Sequence, residues 1–137
     1  MLSTDKIKDL LSHGENKQVE FKKCTDKVSA SVYETVCSFL NAEGGYIFLG
    51  VDDDGTISGI NPKCVTDMTK SIINTLNNPE QFLPPMPITP EQTEIDGKII
   101  LYLNVPESEQ VHRYKNRFYD RWGDADNDVS KHTYLVK

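Results

Sequence analysis

The segment between Asn41 and Gly55 constrains the fold most, because it joins a helix end, a buried strand and a tight turn. Asn41-Ala-Glu-Gly-Gly is typical of a helix end, since paired glycines tolerate left-handed backbone. Residues 46–51 form a continuous apolar run, as expected for a strand covered on both faces. Asp54-Gly55 then favours a hairpin turn. A phosphate loop explains the glycines less well, because such a loop carries lysine and Ser/Thr and leads into a helix.

The remaining pattern predicts an α/β (α+β) fold, a mixed sheet of about five or six strands with three helices. Ser3 or Thr4 would cap a first helix that stops at Gly14. Residues 28–40 carry an apolar stripe at helical spacing, with Ser31 and Glu34 as a capping box. Residues 61–62 would open a third helix that stops at residues 77–79. We predict further strands at residues 19–23, 56–60, 92–95, 98–105 and 117–122, a crossing loop at 82–90 and an acidic turn at 124–128.

Size and composition indicate one ordinary globular domain. The 137 residues are 37% hydrophobic and 26% charged. No apolar run is long enough to span a membrane, and the polar N-terminus does not resemble a signal peptide. Three cysteines without CxxC spacing suit buried thiols in a reducing compartment. We therefore expect a cytoplasmic protein without membrane contact, with residues 1–137 as a single domain.

The net charge of -6 counts against indiscriminate nucleic-acid binding, which depends on the release of counterions. A local basic face remains compatible with an acidic protein. Residues 111–122 interleave cations with aromatic rings, a pattern that suits phosphate contacts and base stacking. An edge strand with inward rings and outward charges explains the same pattern equally well. The cations that could form a basic face are Lys17, Lys22, Lys23, Lys27, Arg113, Lys115, Arg117 and Arg121.

Acidic residues flank the predicted helix and strand. Exposed surface or pairing with lysine is the ordinary explanation for Glu15 and Glu20. Turn chemistry explains Asp54, whereas three consecutive aspartates at 52–54 repel one another, and a divalent cation would relieve that repulsion. If the strands pair, Glu15, Glu20 and Asp53 converge on one site. The histidines at 13, 112 and 132 show no spacing typical of metal ligands.

Two motifs carry a resemblance to a known family. Glu15-x4-Glu20-Phe-Lys, a helix and then Asn41-x-x-Gly-Gly-Tyr-Ile-Phe-Leu-Gly-Val-Asp-Asp53 resemble the Schlafen-type AlbA domain, formerly called a divergent AAA domain. A looser similarity reaches Tyr119-x-Arg121-x-Gly and covers nearly the whole chain. Such domains are N-terminal modules of many bacterial proteins labelled transcriptional regulators or RecG-related proteins, so the resemblance implies that residues 1–137 are the N-terminal part of a longer protein. The resemblance implies an AlbA-like fold that binds DNA or RNA.

The resemblance also implies candidate site residues. Some animal Schlafen proteins are metal-dependent endoribonucleases that use two glutamates and an aspartate, which fall on Glu15, Glu20 and Asp53. Those nucleases use a doubled domain, for which a homodimer would substitute here.

We therefore consider three alternative functions, in order of preference. The first is a nucleic-acid-binding module of a transcriptional regulator, with Lys22, Lys23, Arg117 and Arg121 at phosphates. The second is an endoribonuclease in which Glu15, Glu20 and Asp53 are both catalytic residues and ligands of Mg²⁺ or Mn²⁺. The third is a dimerisation or partner-docking module without nucleic-acid activity.

Overall fold

The computed structural model describes residues 1–131 and confirms the predicted α+β class. Within this part of the chain there are three α-helices and eight strands, and no helix is long and apolar enough to cross a membrane. The helices are α1 (Thr4–Ser12), α2 (Ala30–Asn41) and α3 (Val65–Asn77). The strands are β1 (Val19–Lys22), β2 (Gly45–Leu49), β3 (Phe82–Leu83), β4 (Glu91–Ile95), β5 (Lys98–Val105), β6 (Arg113–Tyr114), β7 (Tyr119–Trp122) and β8 (Ala125–Asp128).

The main sheet has four strands in the order β1-β2-β5-β4. β1 runs parallel to β2, and the other two pairings are antiparallel. The central position of β2 explains its continuous apolar sequence, since both of its faces are covered. The main sheet is therefore smaller than the predicted five or six strands, because β3–β6 and β7–β8 form two separate two-stranded sheets.

Helices cover both faces of the main sheet. Ile47 and Leu49 of β2 pack in one core with α2 and α3, whereas Phe48 packs in a second core with α1. Side chains alternate between faces along a strand. Because Val19 and Phe21 belong to the α1 core, Glu20 and Lys22 between and after them project on the opposite, α2-covered face. This alternation positions the candidate site.

The Gly-Gly pair is needed for close backbone packing, which confirms the turn interpretation. Gly44 has a φ of +75°, and a Cβ there would lie 2.5 Å from the carbonyl oxygen of Val105. A Cβ on Gly45 would lie 2.5 Å from the carbonyl oxygen of Gln18. Both distances are far below van der Waals contact. The pair therefore joins α2 to the sheet.

The helix ends were predicted with mixed success. Ser3 caps α1, since its Oγ accepts a hydrogen bond from the backbone N–H of Lys6. The capping box of Ser31 and Glu34 is wrong, because α2 begins earlier, after Ser29. The third helix begins at Val65, since residues 62–64 form a turn of their own.

Several predicted strand boundaries also need correction. Residues 56–60 form isolated bridges to Val51 and Ile99 instead of a strand. The predicted crossing loop at 82–90 contains the short strand β3, which pairs with β6. The predicted strand at 117–122 begins only at Tyr119. Most of the predicted acidic turn at 124–128 is β8, because the turn itself is limited to residues 123–124.

Candidate nucleic-acid interface

An open cavity of about 750 Å³ lies where β1 ends and the loop to α2 begins. Its wall includes Lys22, Lys23 and Lys27, and we call it the lysine pocket. The three predicted acids line the same cavity. The structure thus brings together five of the seven predicted site residues, which are Glu15, Glu20, Asp53, Lys22 and Lys23. The other two, Arg117 and Arg121, are not part of its lining.

Arg121 is buried, so the predicted contact with phosphate must be corrected. Its side chain has no exposed surface, and its guanidinium lies 4.8 Å from the centre of the Phe39 ring. Nη2 donates to Glu20 Oε1 at 3.0 Å, and Nη1 donates to Asp126 Oδ1 at 2.8 Å. Nη2 also donates to the carbonyl oxygen of Asn16 at 2.8 Å. Arg121 therefore ties β7 to the turn before β1 and is inaccessible to a nucleic acid.

The carboxylate of Glu20 is held by two cations. Oε2 pairs with Nζ of Lys22 at 3.2 Å, while Oε1 receives the bond from Arg121. Asp126 completes the network, since its oxygens accept hydrogen bonds from the hydroxyls of Thr35 and Ser38, both at 2.5 Å. Two carboxylates and two cations give this cluster a formal charge of zero. Buried charges are tolerable only when they are paired in this way.

Glu15 closes the outer edge of the sheet. Its Oε1 accepts the backbone N–H of Phe21 at 3.0 Å, a group that has no neighbouring strand on that side. Burial raises the pKa of Glu15, and the charges of Glu20 and Asp53 raise it further. The Phe21 N–H and Lys22 act in the opposite direction. Glu15 therefore satisfies a backbone N–H at the sheet edge, and its pKa is raised in part by the charges of the other two acids.

The aspartates after β2 divide into turn residues and one pocket residue. Asp54 Oδ1 accepts the N–H of Thr56, which lowers the pKa of Asp54 and agrees with the predicted turn chemistry. The Asp52 backbone contributes to the same turn through Thr56 and Gly55. Asp53 is exposed and lines the lysine pocket. Of the three aspartates, all in the described part of the chain, only Asp53 lines the lysine pocket and fits the predicted site.

A divalent cation does not fit these acids as they are arranged. Among residues 1–131, no group of three or more His, Cys, Asp or Glu side chains is placed to hold a metal ion. Both oxygens of Glu20 already have cationic partners, and one oxygen of Glu15 serves the sheet edge. His112 is buried, with its ring bonded to Pro84 and Ser108. His132 lies outside the described residues.

The loop that carries Lys23 and Lys27 is anchored from below by Asn61. The Asn61 backbone N–H donates to the carbonyl oxygen of Thr25 at 2.9 Å, and its side-chain amide donates to Asp26 at 3.1 Å. Lys23 and Lys27 are exposed, and neither forms an ion pair within the described residues. Lys22 is less accessible, with 18% of its side chain exposed. The loop therefore displays two cations on a held backbone.

Arg117 lies on a different surface. Its side chain is about half exposed, and its Nε donates to Asp128 Oδ2 at 2.7 Å. That hydrogen bond is the main reason why the pKa of Asp128 falls to about 2. Arg117 is therefore already engaged, outside the lysine pocket.

The cation–aromatic segment fits neither of its two interpretations fully. Tyr114 points inward and packs against Tyr33, with ring centres 5.5 Å apart. In β7 the order is reversed, since Arg121 is buried whereas Trp122 is 49% exposed. Lys115 and Arg117 are exposed and Tyr119 packs against the core, so inward rings with outward charges describe the segment until Arg121 and Trp122 reverse the order.

Sequence reasoning missed three residues that position the site. Asp126 was assigned to a turn, yet it binds Arg121. Asn41 was assigned to a helix end, yet its buried amide holds the backbone of His112 and Tyr119. Asn61 was assigned to a helix cap, yet it anchors the lysine loop. Asn41 stood in the family motif, but Asp126 and Asn61 carried no signal beyond their residue type, and a local turn or helix-end role explained each of the three.

Comparison with known proteins finds similar folds and one matching family. A solution structure of the N-terminal domain of a RecG-related protein from Nitrosomonas europaea is similar, with a TM-score of 0.60 and 27% identity. That similarity covers 78% of this chain and 74% of the other. A crystal structure of a Corynebacterium diphtheriae protein shares the fold at a TM-score of 0.61 and 16% identity, over 82% of this chain and 25% of the other. The family model described as Schlafen, AlbA_2 matches residues 15–130. The chain therefore belongs to the Schlafen AlbA_2 family.

Proposed function

We propose that this domain binds nucleic acid through the lysine pocket, as the DNA-binding module of a bacterial transcriptional regulator. The observation that carries the proposal is the pair Lys23 and Lys27, which are exposed, lack ion pairs within residues 1–131 and lie on one anchored loop. Phosphate contacts supply most of the affinity of such modules. The family match and the similarity to a RecG-related protein support the same class of ligand.

The overall charge sets the expected strength of binding. A chain with a net charge of -6 repels nucleic acid at long range, so attraction must come from the local cations. The contacts should therefore be few and sensitive to salt. A homodimer would double the number of contacts and would take the place of the doubled domain of the Schlafen nucleases.

The test measures binding of labelled DNA duplex and single-stranded RNA by fluorescence anisotropy over a range of salt. The variant is Lys23→Gln/Lys27→Gln, and the control is Lys6→Gln/Lys70→Gln, which removes the same charge from exposed positions on α1 and α3. Each phosphate contact contributes about 0.9 to the slope of log K against log salt for duplex and about 0.7 for single strands. Loss of two contacts should reduce the slope by about 1.4–1.8.

The control double variant should retain the wild-type slope. Equal loss in both double variants would show a general charge effect and would refute the pocket as the binding surface. Salt-insensitive binding, or no binding to either nucleic acid, would refute the function. Light scattering on the same samples tests the homodimer, because a nucleic-acid complex that contains one copy of the protein would refute it.

A further inference from the structure

The outer face of the β7–β8 hairpin carries the one exposed aromatic side chain of residues 1–131. Arg121 and its cross-strand partner Asp126 point toward α2, where Asp126 accepts hydrogen bonds from two hydroxyl groups of that helix. Side chains alternate between the two faces of a strand, so Trp122 and its cross-strand partner Ala125 lie on the other face. Trp122 is 49% exposed, and the single methyl group of Ala125 covers little of the indole. The hairpin therefore presents an aromatic surface away from the core.

Asp120 fixes the position of this indole. Its Oδ2 accepts a hydrogen bond from Nε1 of Trp122 at 3.1 Å, and its Oδ1 accepts one from the backbone N–H of Arg121 at 2.9 Å. Residues two positions apart on a strand share a face, so the carboxylate and the ring lie side by side. Asp124 follows in the exposed turn between β7 and β8. An oriented aromatic ring is thus flanked by two carboxylates.

The charge of this surface is negative. Arg121 does not offset it, because its side chain is fully buried on the opposite face. Lys17 is already paired, since its pKa is raised by its hydrogen bond to Glu43 at 2.8 Å and, to a smaller extent, by the charge of Asp120. Asp120 and Asp124 therefore give the surface a field that repels phosphate and attracts a cation. Neither aspartate lines the lysine pocket, so the two surfaces are separate.

We propose that Asp120, Trp122 and Asp124 form a docking surface for an arginine side chain of a partner protein. A guanidinium is planar, so it can stack on an indole while its N–H groups reach a carboxylate beside the ring. Asp124 would accept those N–H groups, because both oxygens of Asp120 already accept hydrogen bonds within the hairpin. A lysine ammonium fits less well, since it is a strongly hydrated point charge. The aromatic ring and the negative charge therefore select the same side chain.

The test is an NMR titration of the domain with a tetra-arginine peptide whose ends are blocked. Trp122 is the only tryptophan of the chain, so its indole Nε1–H signal reports on this surface alone. Tetra-arginine should shift that signal and the amide signals of residues 120–125, and a tetralysine peptide of equal charge should bind more weakly. An exposed cation–π contact changes affinity by about two- to fivefold. Trp122→Leu should weaken tetra-arginine binding by that factor, whereas Trp122→Tyr, which keeps an aromatic ring, should lose less.

A second pair of variants separates this surface from the general acidity of the domain. Asp124→Asn should weaken tetra-arginine binding, and it also provides the test in case Trp122→Leu does not fold. Glu80→Gln removes the same charge from another exposed position and should leave binding as in wild type. Equal losses in these two variants, or equal binding of tetra-arginine and tetralysine, would overturn the proposal. A single-stranded oligonucleotide that shifts the indole signal and loses affinity in Trp122→Leu would assign the surface to nucleic acid and overturn it as well.

Discussion

Replacement of Arg121 by methionine should be among the most destabilising single changes in this domain. Its guanidinium compensates Glu20 at 3.0 Å and Asp126 at 2.8 Å, and its own side chain is fully buried. It also donates to the carbonyl oxygens of Asn16, Lys17 and Val19. Methionine would fill much of the volume but would deprive Glu20 and Asp126 of the guanidinium that compensates their charges.

The expected loss of unfolding free energy follows from how deeply Glu20 and Asp126, the former partners of Arg121, are buried. Removal of one partner from a buried ion pair costs about 3–5 kcal/mol, because a buried charge remains without compensation. Lys22 still pairs with Glu20, which places the value for Arg121→Met at the lower end of that range. With a urea m-value of about 2 kcal/mol/M, a loss of about 3 kcal/mol lowers the midpoint by about 1.5 M.

The assay is urea unfolding followed by circular dichroism, with Arg117→Met as the control because Arg117 forms an exposed ion pair. Its midpoint should stay close to that of wild type. A second variant combines Arg121→Met with Glu20→Gln and Asp126→Asn, which removes the charges as well as their partner. That triple variant should be more stable than Arg121→Met alone. The reasoning is refuted if the triple variant gains nothing, or if Arg121→Met unfolds at the same midpoint as Arg117→Met.

Four smaller predictions concern other contacts of the fold and site. Asn41→Asp should lose about 3 kcal/mol in thermal or urea unfolding and should be worse than Asn41→Ala, because a carboxylate would face the carbonyl oxygens of His112 and Tyr119. Glu15→Gln should stabilise the domain at pH 7, because the raised pKa of Glu15 means that ionisation costs folding free energy. This gain should shrink as the pH falls through the folded pKa toward 4.5, and equal gains at pH 7 and pH 4 in urea titrations would contradict it. Asp128 has a pKa of about 2, so it contributes stability above pH 3.8 that is lost toward pH 2. Arg117→Gln should raise that pKa toward 3.8 in a carboxyl NMR titration. Gly45→Ala should cost about 1–3 kcal/mol in urea unfolding, since the new Cβ would lie 2.5 Å from the Gln18 oxygen, and an unchanged midpoint would count against the tight packing of this turn.

The elements that could be predicted from the sequence are those whose signals are local. The apolar run of β2, the glycines before it and the two strands predicted at 92–95 and 98–105 all follow from side-chain period and turn chemistry. Convergence of Glu15, Glu20 and Asp53 was expected if the strands pair, but it also needs the turns before β1 and after β2, since Glu20 lies opposite Ile47 in the β1–β2 register. In these cases short-range pattern and tertiary structure agree.

The orientation of Arg121 could not be predicted, because alternation in a strand does not say which face is buried. A shift by one residue exchanges the two faces, and hydrophobicity alone would turn Trp122 inward. The structure has the opposite orientation, because Glu20 gives Arg121 a buried partner. Glu20 lies 101 positions away in the sequence, so no local pattern reveals this pair. The two short sheets were missed for a similar reason, because strands of two to four residues carry too little pattern.

The same long-range pair changes how the family motif is understood. Glu20 belongs to the first motif that carries the resemblance and Arg121 to the looser similarity near the end of the chain, yet within the described residues they bind each other and are both buried. A motif of this kind maintains the wall of the lysine pocket, whereas the exposed cations that would meet a phosphate, Lys23 and Lys27, lie beside it on the loop. Substitution of the motif should therefore reduce binding through loss of folding. Substitution of the loop should reduce binding in a protein that remains folded.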